Sequence, residues 1–162
     1  MSELDLQECD ALQWEPFPCG LRNLKISQLN INDSNINDSI LEQMVRHCTH
    51  LEKLEMWYCY GLKSLPEGSL PTTLKELRIN HCNALDYSKI LLYTSLERLD
   101  VRDHSDHPLE SFSIGSLPKL NSLQIFSCEG LKWIRIGCWH LTSSCWLQIL
   151  VDDCHPNEVP LA

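Results

Sequence analysis

Nine cysteines and seven histidines are enough soft donors for a metal centre or a redox pair. The densest group is CWHLTSSC, with Cys138, His140 and Cys145, and Cys154-His155 follows it. Zinc ligands usually come as pairs two to four residues apart, and these residues do not form two such pairs. Hydrolytic chemistry fares no better. Ser, His and Asp are abundant, and His81 and Asp103 could face one groove, but the chain has no nucleophile elbow, H-E-x-x-H helix or phosphate loop. The residue types thus predict no catalytic residue, no metal and no cofactor, and the chain is read as a non-enzyme. The thiols then need a structural explanation.

Composition narrows the setting. The 162 residues carry 13 basic and 22 acidic side chains, for a net charge of -9, and 43% are hydrophobic. A nucleic-acid partner would call for clustered positive charge, so none is expected. No apolar run is long enough to span a bilayer. The start, MSELDLQECD, is acidic and has no apolar signal-peptide core, and the end, NEVPLA, carries no retention or lipidation signal. An odd number of cysteines without a secretion signal reads as reduced thiols. The expected location is cytoplasmic, with the nucleus as a second possibility.

The element that positions the cysteines recurs. LKELRINHC begins at Leu74, LEKLEMWYC at Leu51, LERLDVRDH at Leu96 and LNSLQIFSC at Leu120. LRNLKISQL begins at Leu21, WLQILVDDC at Trp146 and MSELDLQEC at Met1. Every first, fourth and sixth position is apolar. The ninth is Cys9, Cys59, Cys82, Cys128 or Cys154 in five copies, and Leu29 or His104 in the others. This is the leucine-rich-repeat pattern L-x-x-L-x-L-x-x-N/C. The fourth and sixth positions alternate as on a short strand, and the first lies at the turn entering it. Cys at the bend after the strand is a small apolar body with a weak donor for orphaned carbonyls. The five cysteines would form a structural ladder.

The return segments carry a weaker pattern. Leu62, Leu85, Leu109 and Leu131 make one apolar layer. Leu65, Phe112 and Ile134 make a second, with polar Ser88 as its exception. The Leu-Pro joints at 70–71 and 117–118 favour extended returns over long helices. One repeat differs. After INDSNINDS, Ser39 and Glu42 suggest a capping box, and Ile40, Leu41, Met44, Val45 and Cys48 fall on one helical face. Asn32 and Asn37 match N-x-S but read as plain loop residues without a secretory route.

The predicted fold is an α/β solenoid. It is a leucine-rich-repeat horseshoe arc with about seven short parallel strands on the concave face. The convex side should be mostly irregular or extended, with one helix near 39–48. Residues 1–162 form a single domain, with repeats starting near 1, 21, 51, 74, 96, 120 and 146. Because strands fill both ends, a fragment or truncated form of a larger receptor is expected.

LKSLPEGSLPTTLKELRINHC and SFSIGSLPKLNSLQIFSCEGLKWI resemble the leucine-rich-repeat region of plant disease-resistance proteins of the coiled-coil, nucleotide-binding (NB-ARC) class. The resemblance spans nearly the whole chain and is weakest at residues 27–48 and after Gly137. It implies a module for plant innate immunity that binds a pathogen effector or guarded host protein, or restrains a nucleotide switch. Such a switch needs a P-loop, and G-x-x-x-x-G-K-[ST] is absent here. INDSILEQMVRHCTHLEKLEMWYC also resembles the repeats of F-box-type ubiquitin-ligase adaptors, so a substrate-binding adaptor is the alternative.

Positions three, five, seven and eight should point into the concave face. The candidate partner-binding residues are Lys53, Glu55, Trp57, Tyr58, Arg78, Asn80, His81, Arg98, Arg102 and Phe126. Aromatic residues and Arg are the types enriched at binding hot spots. Arg98/Asp100 and Arg102/Asp103 are expected to compensate each other.

Overall fold

A computed structural model of the chain describes residues 3–7, 28–32, 36–67, 72–102, 111–113, 117–128, 131, 133–135 and 148–152. Strands form wherever the fourth and sixth repeat positions alternate. They are β1 (Glu3–Gln7), β2 (Gln28–Asn32), β3 (Lys53–Trp57), β4 (Glu76–Asn80) and β5 (Arg98–Arg102), then β7 (Ser122–Phe126) and β9 (Gln148–Asp152). These pair in parallel in the order β1-β2-β3-β4-β5-β7-β9. The short strands β6 (Ser111–Ser113) and β8 (Trp133–Arg135) form a separate parallel pair. Among the described residues one α-helix, α1 (Asp38–His47), lies between β2 and β3. A parallel sheet with helical and extended returns agrees with an α/β repeat-like fold.

Register explains the core. Leu54, Leu77, Leu99 and Leu123 pair in one column, and Met56, Ile79, Val101 and Ile125 in the next. All eight are buried, as are Leu51, Leu74, Leu96 and Leu120 at the strand entrances. Fully burying one such side chain contributes roughly 1.5–3 kcal/mol. Small hydroxyls help to hold neighbouring repeats. Thr73 Oγ1 donates to the Leu51 carbonyl at 2.8 Å, and Ser95 Oγ to the Leu74 carbonyl at 2.7 Å.

The second repeat corrects the sequence frame. β2 pairs with both β1 and β3 through Leu29 and Ile31, so its frame starts at Ile26 rather than Leu21. The intervals then become 25 and 25 (1 to 26, 26 to 51) instead of 20 and 30. Leu29 is therefore a strand residue and not a ninth position. The sequence LRNLKISQLNI puts apolar residues at first, fourth and sixth positions counted from Leu21 and again counted from Ile26, and the ladder selects the second.

The cap of α1 is also displaced. Asn37 is the N-cap, and its Oδ1 accepts from the Ile40 N–H at 3.1 Å, so Ser39 lies inside the helix. The predicted helix face is the buried one, with Leu41, Met44, Val45 and Cys48 in the core and Ile40 packed against it. Asp38 ties the helix to the next return. Its Oδ1 accepts from the backbone N–H groups of Lys63 (2.7 Å) and Ser64 (3.0 Å), and its Oδ2 accepts from Ser64 Oγ (3.2 Å).

The later returns are shaped by turns. A 3-10 helix spans Tyr87–Leu92, capped by Asp86, whose carboxylate accepts from the Ser88 N–H and Oγ, both at 2.9 Å. Those bonds hold the Asp86 carboxyl below its usual pKa. They also turn Ser88 outward, so Ile90 and Tyr93 are the buried residues of this return. Tyr93 donates to the Pro66 carbonyl at 2.7 Å. Leu62, Leu65, Leu85 and Leu131 are buried as their spacing predicts, while Leu109 lies outside the described residues. Phe112 and Ile134 are register partners in the β6–β8 pair.

Candidate functional site

The face opposite the core is built from alternate residues of the sheet. Its first column runs Lys53, Glu76, Arg98, Ser122, Gln148, and its second Glu55, Arg78, Asp100, Gln124, Leu150. The third runs Trp57, Asn80, Arg102, Phe126, Asp152. The ladder thus gathers Lys53, Glu55, Trp57, Arg78, Arg98, Arg102 and Phe126 on one surface.

The charges of this face form a lattice. Glu55 Oε1 lies 2.7 Å from Lys53 Nζ and 2.9 Å from Arg78 Nη1. Arg98 Nη1 reaches Glu76 at 3.2 Å, and Arg102 Nε is 3.7 Å from Asp100. The expected Arg98/Asp100 pairing is therefore replaced by a cross-strand pair with Glu76. Asp103 lies outside the described residues, and Arg102 is bound to Asp100 instead. Burial pushes the Asp100 pKa up, and the nearby Arg102 and Arg78 guanidinium groups only partly offset this. Arg102 also stacks over Phe126, with its guanidinium carbon 4.5 Å from the ring centroid.

Two candidates sit where the strands end. Tyr58 and His81 have left-handed backbones, with φ of 55° and 54°, as does Ser127 at 55°. Such angles are uncommon for residues with a Cβ. Here they turn the chain out of the sheet while keeping the ladder. The Tyr58 N–H donates to Asn80 O (2.9 Å), that of His81 to Arg102 O (2.9 Å) and that of Ser127 to Asp152 O (3.0 Å). The side chains at position eight therefore line the rim and not the sheet. There Tyr58 and His81 stack with parallel rings 4.9 Å apart, and Tyr60 lies 6.2 Å from Tyr58. Tyr58 and Tyr60 are among the most exposed large side chains described.

Asn80 corrects another expectation. It is 2% exposed, between Trp57 and Arg102 in its column, so it cannot meet a partner directly. The residues missed by sequence reasoning lie at the other end of the face. A cavity of about 320 Å³ is lined by Glu76, Arg78, Arg98 and Asp100 on one side and Asn121, Ser122, Gln124 and Gln148 on the other. Gln148 and Leu150 are the third- and fifth-position residues of the repeat that starts at Trp146, the positions whose alternation marks the face.

The cysteines that follow β3, β4 and β7 bond back to the strands they leave. Cys59 Sγ donates to Trp57 O at 3.4 Å, Cys82 to Asn80 O at 3.5 Å and Cys128 to Phe126 O at 3.3 Å. All three are buried, as is Cys48, and none of these four is in a disulfide. Hydrogen bonding to Cys59, together with burial, raises the Cys82 thiol far above its ordinary range. Burial pushes the Cys48 thiol up to about 11. Cys9, Cys154, Cys138, His140 and Cys145 lie outside the described residues. Among the described residues no helix is long and apolar enough to cross a membrane.

Comparison with known proteins gives one relative of note. The chain is 31% identical over 115 residues to a putative disease resistance protein of Arabidopsis thaliana. The aligned part is 68% of this chain and 8% of the relative, so the chain corresponds to a small portion of a much longer protein. The similarity supports the plant disease-resistance family. No family model matches, and no solved structure matches.

Proposed function

We propose that the chain is a run of leucine-rich repeats from a plant disease-resistance protein, folded as a solenoid arc whose concave side is the long parallel sheet. Its role is recognition of a protein in plant innate immunity. The partner is a pathogen effector, a guarded host protein or the nucleotide-binding domain of a full-length receptor, and recognition restrains or releases that switch. The module acts in the cytoplasm or nucleus and performs no catalysis. The ladder of apolar columns, the buried cysteines after β3 and β4 and the similarity to the Arabidopsis relative support this reading. The adaptor alternative draws on α1 alone, a helix in one repeat.

The observation that carries the binding role is the row of Trp57, Arg102 and Phe126 on the sheet, with Arg78 beside it and Tyr58 on the rim. A recognition face needs large side chains held in place before the partner arrives. The stacking of Arg102 on Phe126 and the pairing of Arg78 with Glu55 provide such order. The test is capture of the partner from plant tissue with the chain and with Trp57→Ala/Tyr58→Ala. The double variant loses the partner and keeps the melting temperature within a few degrees. Retained capture by a folded double variant overturns the reading.

A further inference from the structure

On the reading that this face binds protein, its two halves differ in a way that specifies the partner's chemistry. Across β3, β4 and β5 the signs alternate along each strand and between strands: Lys53/Glu55, then Glu76/Arg78, then Arg98/Asp100. Lys53, Arg78 and Arg98 are each paired with Glu55 or Glu76 at 2.7–3.2 Å, and the fourth cation, Arg102, lies 3.7 Å from Asp100. All four cations are thus engaged. On β7 and β9 the same two columns carry Ser122, Gln124, Gln148 and Leu150, and no charge. The cavity of about 320 Å³ straddles this boundary. Leu150 is 42% exposed in a column that is otherwise polar.

We propose that the partner presents an extended, uncharged segment, read by Gln124, Gln148 and Leu150, and that the ion-pair lattice on β3–β5 turns charged side chains away. The chemistry is that of the peptide group itself. A glutamine amide offers donors and an acceptor, which matches the one N–H and one C=O of each partner residue. Leu150 supplies an apolar contact beside them. A charged side chain entering the cavity would instead have to compete with pairs already formed at 2.9 and 3.2 Å. Displacing one member strands its mate in a half-enclosed site, which costs more than the new contact returns. The raised pKa of Asp100 marks the same reluctance to hold charge on this floor.

An array of extended synthetic peptides tests this, probed with the whole chain. One set is composed of Gln, Asn, Ser, Thr and Leu, one is enriched in Asp and Glu, and one in Lys and Arg. The uncharged set binds best, and added sodium chloride changes its retention by less than about twofold, because no ion pair is screened. Gln124→Ala/Gln148→Ala weakens it about tenfold, the loss expected for two hydrogen bonds, while Arg46→Ala on the exposed side of α1 leaves it unchanged. Thermal melts confirm that the variants fold. Preference for either charged set, or loss with Arg46→Ala and not with the glutamine variant, overturns the inference while leaving a protein-binding face. Absence of retention on every set overturns the inference as well. Capture with Trp57→Ala/Tyr58→Ala judges the broader reading separately.

Discussion

Removing the Asp38 carboxylate should loosen the chain between its second and third repeats. Asp38 stands in the first turn of α1 and accepts three hydrogen bonds from residues 25 and 26 positions away. Two come from backbone N–H groups at 2.7 and 3.0 Å, and one from Ser64 Oγ at 3.2 Å. A hydrogen bond to a charged group contributes about 1.5–3 kcal/mol, and the Lys63 contact is solvent-exposed, so Asp38→Ala should cost about 2–4 kcal/mol in all. Asp38→Asn keeps an oxygen for the two backbone donors and should cost about 1 kcal/mol. Urea unfolding of the whole chain measures both. A double-mutant cycle with Ser64→Ala isolates the hydroxyl bond, with a coupling of about 0.5–1.5 kcal/mol. If the carboxylate acted only as a charge at the helix N-terminus, the Asn and Ala variants would be equally destabilised and the coupling with Ser64 would vanish. That result would refute the reasoning.

Other consequences are as specific. Leu77→Ala removes a fully buried side chain from the central strand β4 and should cost about 2–5 kcal/mol in urea unfolding, whereas Leu92→Ala, at 55% exposed, should cost little. Alkylation at mildly alkaline pH, mapped by mass spectrometry, should leave Cys48, Cys59, Cys82 and Cys128 unmodified until the chain unfolds, since all four are buried and the raised pKa values of Cys48 and Cys82 keep those two thiols protonated as well. Asp100 has a raised pKa, so its stability contribution is greatest with the proton bound, below its unfolded pKa, and is lost as pH rises through the folded value. Asp100→Asn should therefore melt no lower than the parent at neutral pH, and thermal melts of the two should converge in acid. A neutral-pH melt well below the parent's would mean that the Arg102 contact outweighs the burial of the charge.

Much of this architecture can be read from the residues. Apolar residues at the fourth and sixth positions locate every strand of the long sheet but one. That exception is physical, because Ile26 serves as the sixth residue of one frame and the first of another, and only pairing with β1 and β3 decides between them. The Cys at the ninth position implies a weak donor to an orphaned carbonyl, and Cys59, Cys82 and Cys128 each bond two residues back. The eighth position misleads. Tyr, His and Ser give no warning of a left-handed turn, which in sequence is usually signalled by Gly or Asn. Alternation alone therefore puts Tyr58 and His81 on the sheet. Asn80 alternates correctly but is covered by its long neighbours, an outcome that depends on cross-strand register. The Asp38 staple spans more than twenty residues and leaves no local mark.

The most direct measurement is photo-crosslinking in plant leaf tissue with the full chain. A benzophenone side chain replaces Trp57 or Phe126 on the sheet face, or Arg46 on the exposed side of α1. The account predicts discrete high-mass adducts from positions 57 and 126 and none from position 46. Adducts from position 46 alone would contradict it and move the recognition surface to the outer side of the repeats.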